Sequence, residues 1–194
     1  MYKISEDYLR DVVNNKEPID LWLNSFGGCR SNYIRSILEQ KYRLYNYAYE
    51  YKMCHYIKPI KDLNIDTCVY CVVSDVGLSI TSQINRAVQN NFYKLLPYDE
   101  ELDFSIINWL NLIKRQIDNF SNFSKEKYGY DLIIINTDHL IHDQTKEKFQ
   151  DVFGLNIDNY VPRKTTKWDD RLIPHSNQIE IINNKIKKLR YIDV

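Results

Sequence analysis

A loop of small residues near the start of the chain joins an apolar segment to an amphipathic one. The loop reads Phe26-Gly27-Gly28-Cys29, and Arg30-Ser31-Asn32 follow where a helical pattern begins. A strand, such a loop and a helix N-terminus form the usual cradle for a phosphate or a sulfate, because backbone N–H groups face the anion. The Gly-Lys-Ser/Thr ending of the ATPase signature is missing. We therefore predict an anion site over Gly27–Asn32, with a tight turn as the alternative.

Polar residues also follow the later predicted strands or lie in a late loop. They are His55 within His55–Pro59, the pair Ser74-Asp75, and Arg163-Lys164. Ligands of an open parallel sheet collect at the carboxyl ends of its strands, so we expect these residues to approach the Gly27–Asn32 loop. His55 suits a general base, because an imidazole has an ordinary pKa of about 6.5. The alternative for His55 is a structural or solvated histidine. The alternative for Arg163-Lys164 is a solvated charge pair.

Histidines and cysteines elsewhere give weaker signals. Two histidines, His139 and His142, have an aspartate on either side and could look like a metal-binding pair. No further ligand is evident at a second site in the sequence, so we predict no metal. Cys68 and Cys71 lie in an apolar strand-like run, where positions three apart point to opposite faces. We expect buried thiols there rather than a zinc site, a redox pair or a disulfide.

Hydrophobic periodicity predicts the elements that carry these residues. Predicted strands cover residues 19–25, 67–74 and 130–136, with another in the tyrosine-rich stretch 42–59; predicted helices begin near residues 5, 31, 79, 103, 143 and 176. Tyr45, Tyr47, Tyr49 and Tyr51 alternate, which favours core packing over a platform for an acceptor. The order of elements predicts an α/β fold, a three-layer parallel sheet with helices on both faces, in one domain over residues 1–194.

Composition argues against several classes of partner. The 194 residues include 26 Lys or Arg and 26 Asp or Glu, so the basic excess usual in nucleic-acid-binding proteins is missing. The polar N-terminus has no signal-peptide core, and no apolar run approaches the roughly 18 residues of a membrane span. We expect a cytoplasmic protein without nucleic-acid or membrane partners. The excess of Asn, Ile, Lys and Tyr indicates an AT-rich genome, such as that of a virus, a phage or a low-GC bacterium.

In order and spacing, the motifs resemble the nucleotide-dependent sulfotransferases, a P-loop-like α/β family whose donor is 3′-phosphoadenylyl sulfate (PAPS). That family's first loop typically reads Pro-Lys/Arg-Ser-Gly-Thr-Thr and cradles the 5′-phosphosulfate; Gly27–Asn32 stands in its place. Many members then have a Lys-Thr-His-x-Pro-like segment that carries the catalytic base, and Met53–Pro59 with His55 is similar to it. The resemblance covers residues 20 to about 170.

The resemblance also implies contacts to the 3′-phosphate of the donor. The family's third strand ends in an Arg and, eight residues on, a Ser; this chain has Ser74 and Ser82 at that spacing. The stretch Tyr130–Leu155 looks like the family's strand, Glu-Asp-Leu turn and following helix. Arg163–Trp168 resembles its late Arg-Lys-Gly…Trp loop, which closes over the 3′-phosphate.

Two positions depart from the family pattern. Gly28 takes the place of the loop lysine, although Arg30 lies two residues on and could supply the charge. Ser74 takes the place of the 3′-phosphate arginine, and serine cannot replace its bidentate contact. Arg86, one helical turn beyond Ser82, is the candidate to compensate.

By resemblance, the chain is expected to transfer a sulfuryl group from PAPS to a hydroxyl of a glycan or another small acceptor, without a metal. His55 would take the acceptor proton, while loop N–H groups and Arg30 would stabilise developing charge. The donor would be held by Gly27–Asn32, Ser74, Ser82, Arg163 and Lys164. Because the chain is short for the family, acceptor loops are expected to be trimmed or supplied by a second subunit of a homodimer.

Two other functions stay open at this point. A non-catalytic interaction protein could retain the sulfotransferase fold without donor binding, and the Ser74 replacement supports that alternative. A nucleotide or small-molecule kinase is the other, but the missing Gly-Lys-Ser/Thr and the lack of an evident magnesium-binding carboxylate argue against it.

Overall fold

Strands and helices alternate along the chain. The computed structural model describes residues 6–15, 19–45, 55–86, 102–161 and 164–192. Its helices are α1 (Glu6–Asn15), α2 (Ser31–Leu38), α3 (Val76–Asn85), α4 (Ile106–Ser121), α5 (Lys125–Tyr128), α6 (Asp143–Phe153) and α7 (Ser176–Ile186). Its strands are β1 (Leu21–Ser25), β2 (Leu44–Tyr45), β3 (Thr67–Val72) and β4 (Asp131–Asn136), and short 3₁₀ helices cover Thr137–Ile141 and Asp170–His175.

The described strands form one parallel sheet in the order β2-β1-β3-β4. Leu21 of β1 pairs with Thr67 of β3, and Thr67 pairs in turn with Asp131 of β4. Because the strands are parallel and in register, the loops that follow β1, β3 and β4 leave from one edge of the sheet. The prediction of an α/β fold, with a parallel sheet flanked by helices, is confirmed at this level.

β1 and β3 lie in the interior of the sheet, since every residue of β1 and all but the first of β3 are buried. Helix α4 covers one face: the Phe120 ring stacks on Tyr70 with centroids 4.2 Å apart and lies 6.2 Å from the Trp22 ring. Such ring pairs add about 0.5–1.5 kcal/mol to the stabilisation from apolar burial. The buried apolar side chains of the described segments form one contiguous cluster, which supports the loops at the sheet edge.

Capping places the start of α3 earlier than periodicity predicts. The helix begins at Val76 rather than near Ser79, because the Asp75 carboxylate accepts hydrogen bonds from the N–H groups of Gly77 and Leu78. These amides have no partner within a helix, so a capping carboxylate stabilises this start. One consequence is that α3 begins close to the end of β3.

Cys68 and Cys71 both lie in β3, where residues three apart point to opposite faces of the sheet. Both side chains are fully buried. Burial raises the pKa of the two thiols well above its ordinary value, so both stay protonated. They are small apolar members of the core.

Several predicted features fall outside the described residues. Among them are Tyr47, Tyr49 and Tyr51 of the alternating tyrosines, together with Cys54 and Arg163. Within the described ranges, no helix has the length and apolar character needed to cross a membrane.

Candidate anion site at the carboxyl edge of the sheet

The loop after β1 turns through left-handed backbone conformations. Gly27 and Gly28 have φ angles of 87° and 64°, and Arg30 has a φ of 53°. Glycine adopts such angles readily, whereas for a residue with a Cβ atom the left-handed conformation costs about 1–2 kcal/mol of conformational energy. The Arg30 conformation directs the chain straight into α2, with Arg30 at the helix N-cap position. Strain of this kind tends to collect at ligand-binding sites.

The N-terminus of α2 has no capping side chain. Asp75 caps α3 and Ser105 caps α4 by accepting from N–H groups of the first turn, whereas α6 and α7 begin without a side-chain cap, as α2 does. First-turn amides without a cap carry partial positive charge and attract anions. The start of α2 therefore suits a bound phosphate or sulfate.

Gly28 brings the loop into direct contact with α3. A Cβ atom on residue 28 would lie 2.4 Å from Ser79 Oγ and 2.7 Å from the Ser79 carbonyl oxygen. The Ser79 hydroxyl donates to the Gly27 carbonyl oxygen at 2.8 Å, which ties the loop to the helix. A lysine side chain at position 28 would have no room unless α3 moved.

A cleft of about 400 Å³ opens beside Gly28, between the loop, the end of α3 and the segment around Lys164. We call it the cationic cleft, because its lining includes Arg30, Arg86 and Lys164. Among the described residues that line it, none is acidic. Ser82 also lines it, so five residues named in the sequence analysis come together here.

Two of the cations are held by neighbouring side chains. Arg86 donates from Nε to the Ser82 carbonyl oxygen and from a terminal nitrogen to Ser82 Oγ, both at 2.9 Å. The Arg30 guanidinium lies over the Tyr160 ring, 5.3 Å from its centroid, in a cation–π contact. Both contacts restrict a guanidinium group and so reduce the entropy lost when it binds an anion.

Segment 164–169, which we call the strap, is anchored to α3 at two points. The Trp168 indole donates from Nε1 to the Asp75 carboxylate at 3.0 Å. The Asp169 N–H donates to Thr81 Oγ1 at 2.8 Å. These anchors hold the strap beside the cationic cleft.

His55 is buried, with 7% of its surface exposed. Its Nδ1 lies 2.9 Å from the Ser25 carbonyl oxygen and 3.1 Å from Ser25 Oγ. Since a carbonyl oxygen only accepts, this geometry favours a proton on Nδ1 and leaves Nε2 as the basic nitrogen of the neutral ring. Ser25 Oγ donates to Ser31 Oγ at 3.3 Å, which links His55 to the first residue of α2.

A buried polar group beside His55 was missed by the sequence analysis. Gln116 of α4 donates from Nε2 to the carbonyl oxygens of Ser25 and Tyr56, at 3.2 and 2.7 Å. Tyr70 donates its hydroxyl to Gln116 Oε1 at 3.1 Å. The available signal was a glutamine inside the apolar stripe of α4, since buried polar side chains are retained only with hydrogen-bond partners.

Among the described residues that were predicted to bind PAPS, Ser74, Cys29 and Asn32 do not line the cleft. The Ser74 N–H donates to the Asp138 carboxylate at 2.9 Å, and its hydroxyl accepts from Asn136 Nδ2 at 3.0 Å. The Cys29 thiol is fully buried and donates back to the loop backbone. Asn32 is exposed on α2. Ser74 therefore joins the ends of β3 and β4.

The His139–His142 pair lies at the carboxyl end of β4. His139 Nε2 is 3.2 Å from Asn136 Nδ2, and the His139 ring meets the Tyr191 ring edge-on at 5.4 Å. In the part of the chain that the structure describes, no group of three His, Cys, Asp or Glu side chains could hold a metal ion.

Charges near the cleft are neutralised locally. Arg171 donates to both carboxylate oxygens of Asp169, and this hydrogen bonding lowers the pKa of Asp169 to about 2. Burial, followed by the charge of Asp158, raises the pKa of Tyr33, so its phenol stays neutral. Tyr33 packs edge-on against the Tyr160 ring that carries the Arg30 contact. Arg171 is thus committed to Asp169 and is separate from the three cleft cations.

The chain matches no family model, and neither a curated protein nor a solved structure is significantly similar to it. Its function must therefore be inferred from its own residues and their arrangement.

Proposed function

We propose that this protein is a small sulfotransferase-like enzyme with a three-layer, P-loop-like α/β fold, which transfers a sulfuryl group from PAPS to a hydroxyl of a glycan or another small acceptor. The observation that carries the proposal is the cationic cleft beside the uncapped start of α2. It joins Arg30 from the loop, Arg86 from the end of α3 and Lys164 from the strap. A donor with a 3′-phosphate and a 5′-phosphosulfate presents complementary charge.

The two departures from the family pattern have substitutes within the cleft. Arg30 would serve in place of the loop lysine, because residue 28 has no room for a side chain. Arg86 would serve in place of the strand-end arginine, with Ser82 and Lys164 as further contacts to the 3′-phosphate. Ser74, in contrast, is engaged with the end of β4.

The proposed reaction is a direct transfer of the sulfuryl group. The acceptor oxygen forms a bond to sulfur while the bond from sulfur to the bridging phosphate oxygen breaks, and 3′-phosphoadenosine 5′-phosphate leaves. Arg30 and the loop N–H groups stabilise the charge that develops on the bridging oxygen. His55 takes the acceptor proton on Nε2, since its Nδ1 faces the Ser25 carbonyl oxygen.

Calorimetric titration with 3′-phosphoadenosine 5′-phosphate tests the donor site. We expect micromolar binding that weakens as salt is added, because the contacts are ionic, and no comparable heat with ATP and magnesium. Tight binding of ATP instead would favour a nucleotide or small-molecule kinase. If neither ligand bound, Gly27–Asn32 would be a structural turn and the proposal would fail.

A non-catalytic interaction protein with the same fold is the second candidate. The deep burial of His55 and the engagement of Ser74 away from the cleft favour it. His55→Ala separates the two candidates: an enzyme loses sulfuryl transfer to hydroxyl acceptors by roughly 10²- to 10⁴-fold but keeps its affinity for the bisphosphate. A non-catalytic interaction protein shows no sulfuryl transfer with or without the substitution. His175→Ala, at the start of α7, is the matched control.

A further inference from the structure

Gln116 is fully buried, and both polar atoms of its amide have partners. Oε1 accepts from the Tyr70 hydroxyl, while Nε2 donates its two hydrogens to the carbonyl oxygens of Ser25 and Tyr56. Reversing the amide would place Oε1 against two carbonyl oxygens, all three of them acceptors. The surrounding groups therefore fix the orientation of this side chain.

The Ser25 carbonyl oxygen connects Gln116 to His55, because it accepts from Gln116 Nε2 at 3.2 Å and lies 2.9 Å from His55 Nδ1. Ser25 also offers its hydroxyl to the same ring nitrogen, at 3.1 Å. The two oxygens favour different tautomers. The carbonyl requires a proton on Nδ1, whereas a hydroxyl that donates to the ring requires a lone pair on Nδ1. The two Ser25 oxygens therefore exert opposite preferences on the tautomer of His55.

We propose that Gln116 is a positioning residue that holds the neutral His55 ring in the Nδ1–H tautomer. Its amide keeps the Ser25 carbonyl oxygen directed at His55 Nδ1, so that Ser25 Oγ donates to Ser31 and Nε2 carries the lone pair. The use of Nε2 as a general base rests on the proposed sulfuryl transfer, but the tautomer itself does not.

Removing the amide N–H groups of Gln116 should shift the equilibrium between the two tautomers of His55 in one direction. The Ser25 carbonyl oxygen loses its hydrogen bond from Gln116 and is held less firmly toward the His55 ring. Ser25 Oγ can then donate to Nδ1 rather than to Ser31 Oγ, and the ring proton moves to Nε2. An imidazole with its proton on Nε2 cannot accept a proton at that nitrogen.

Long-range ¹H–¹⁵N correlation spectra of protein labelled with ¹⁵N-histidine report the tautomer of each neutral ring. His55→Gln assigns the His55 signals. We expect the Nδ1–H tautomer in the unaltered protein. Gln116→Met keeps the length and apolar volume of the side chain, and we expect it to shift the tautomer ratio toward Nε2–H by about five- to tenfold, as for one lost hydrogen bond.

Asn119→Leu is the matched control. Asn119 lies one turn further along α4 and donates to the Ile57 carbonyl oxygen at 3.0 Å, but not to Ser25. This variant should leave the ratio unchanged. Tyr70→Phe removes a single hydroxyl and provides a second test if Gln116→Met does not fold. We expect it to shift the ratio in the same direction by less, because it only loosens the orientation of the Gln116 amide.

The proposal is overturned if the unaltered protein has the Nε2–H tautomer. It is also overturned if folded Gln116→Met, or Tyr70→Phe in its place, keeps the original ratio, or if Asn119→Leu shifts the ratio as much as Gln116→Met. These spectra need no donor or acceptor. A failure of 3′-phosphoadenosine 5′-phosphate to bind would count against the proposed function alone.

Discussion

Two of the three cations of the cationic cleft have neighbours that orient them. Ser82 holds Arg86 through two hydrogen bonds, and the Tyr160 ring holds Arg30. A guanidinium that is already oriented can bind a phosphate through two parallel hydrogen bonds. The affinity for an anion should therefore depend strongly on single side chains.

Replacing Arg86 with Ala should weaken binding of 3′-phosphoadenosine 5′-phosphate by roughly 10- to 100-fold, because a hydrogen bond to a charged group contributes about 1.5–3 kcal/mol. Calorimetry at one fixed salt concentration measures the change. Arg43→Ala is the control, since Arg43 pairs with Asp20 just before β1, at the amino end of the sheet. Equal losses in both variants would indicate non-specific attraction to positive charge.

The thiols of Cys68 and Cys71 should resist alkylation in the folded protein. Only the thiolate reacts, and burial both shields these thiols and raises their pKa. We expect peptide mapping by mass spectrometry to find both residues unmodified after iodoacetamide treatment at pH 8, and fully modified once urea is present. Rapid labelling without denaturant would show that β3 opens readily.

At the scale of secondary-structure elements, the site depends on contacts between the β1–α2 loop, α3 and the strap. Gly28 lies against Ser79 of α3, and Trp168 of the strap bonds to Asp75 at the start of the same helix. Helix α3 is therefore the common support of the loop and the strap, and small changes along it should alter the cleft.

Gly28→Ala should destabilise the protein by more than Gly129→Ala. Both glycines have positive φ, but a Cβ on residue 129 meets nothing within 4 Å, whereas one on residue 28 would lie 2.4 Å from Ser79 Oγ. Gly129→Ala should therefore cost about 1–2 kcal/mol from the backbone alone. Overpacking should add about 1–3 kcal/mol at position 28. Urea unfolding of the two variants measures the difference, and equal midpoints would contradict the close contact.

Gly77→Ala should weaken bisphosphate binding through the strap. A Cβ on residue 77 would lie 2.7 Å from the Trp168 ring, so the indole must shift and Lys164 with it. We expect a loss of several-fold in affinity by calorimetry. If the effect acts through Lys164, Gly77→Ala combined with Lys164→Ala should bind no worse than Lys164→Ala alone. Additive losses would mean that Gly77 acts by another route.

At the scale of the whole molecule, several ionisable groups are enclosed in the apolar core. Cys68, Cys71, Tyr70 and Tyr130 are all buried. Burial raises the pKa of each group above its ordinary value, which is 9.0 for the thiols and 10.0 for the phenols. The folded protein thus keeps protons that the unfolded chain releases in alkali.

Stability should therefore fall as the pH rises above about 9. Below that value both states are protonated and the full stability is present; above it, the unfolded state ionises first and becomes favoured. Each group can contribute a slope of up to about 1.4 kcal/mol per pH unit. Urea midpoints measured between pH 7 and pH 10 test this. The double variant Cys68→Ala, Cys71→Ala should show a shallower decline of the urea midpoint near pH 9. A midpoint that stays constant over this pH range in the unaltered protein would contradict the expectation.

The types of element were predictable because their signals are local. Helix α6 begins at the predicted residue 143, since its apolar positions recur along one face, and the left-handed Gly154 ends it. The start of α4 was placed near Asp103, but Ser105 caps it by accepting from the Asn108 N–H. Both residue types are good caps, so their order in the sequence could not decide which would act.

The sequence by itself determined which side chains are available for chemistry and which segments form strands and helices. Periodicity, glycine turns and caps act over a few residues, so each can be recognised within its own segment. Arg30 was named from the pattern of the loop and the helix start, whereas the resemblance to the sulfotransferases is what assigned Ser82, Arg86 and Lys164 to the same donor.

Only the tertiary structure decided which of these residues lie together. Strand order brings the β1 loop beside α3, and it directs Ser74 to the end of β4 instead of to the cleft. Gln116 acquires its role from Ser25, 91 positions away. No local sequence pattern specifies a hydrogen bond over such a separation, because the contact depends on how the fold brings the two segments together.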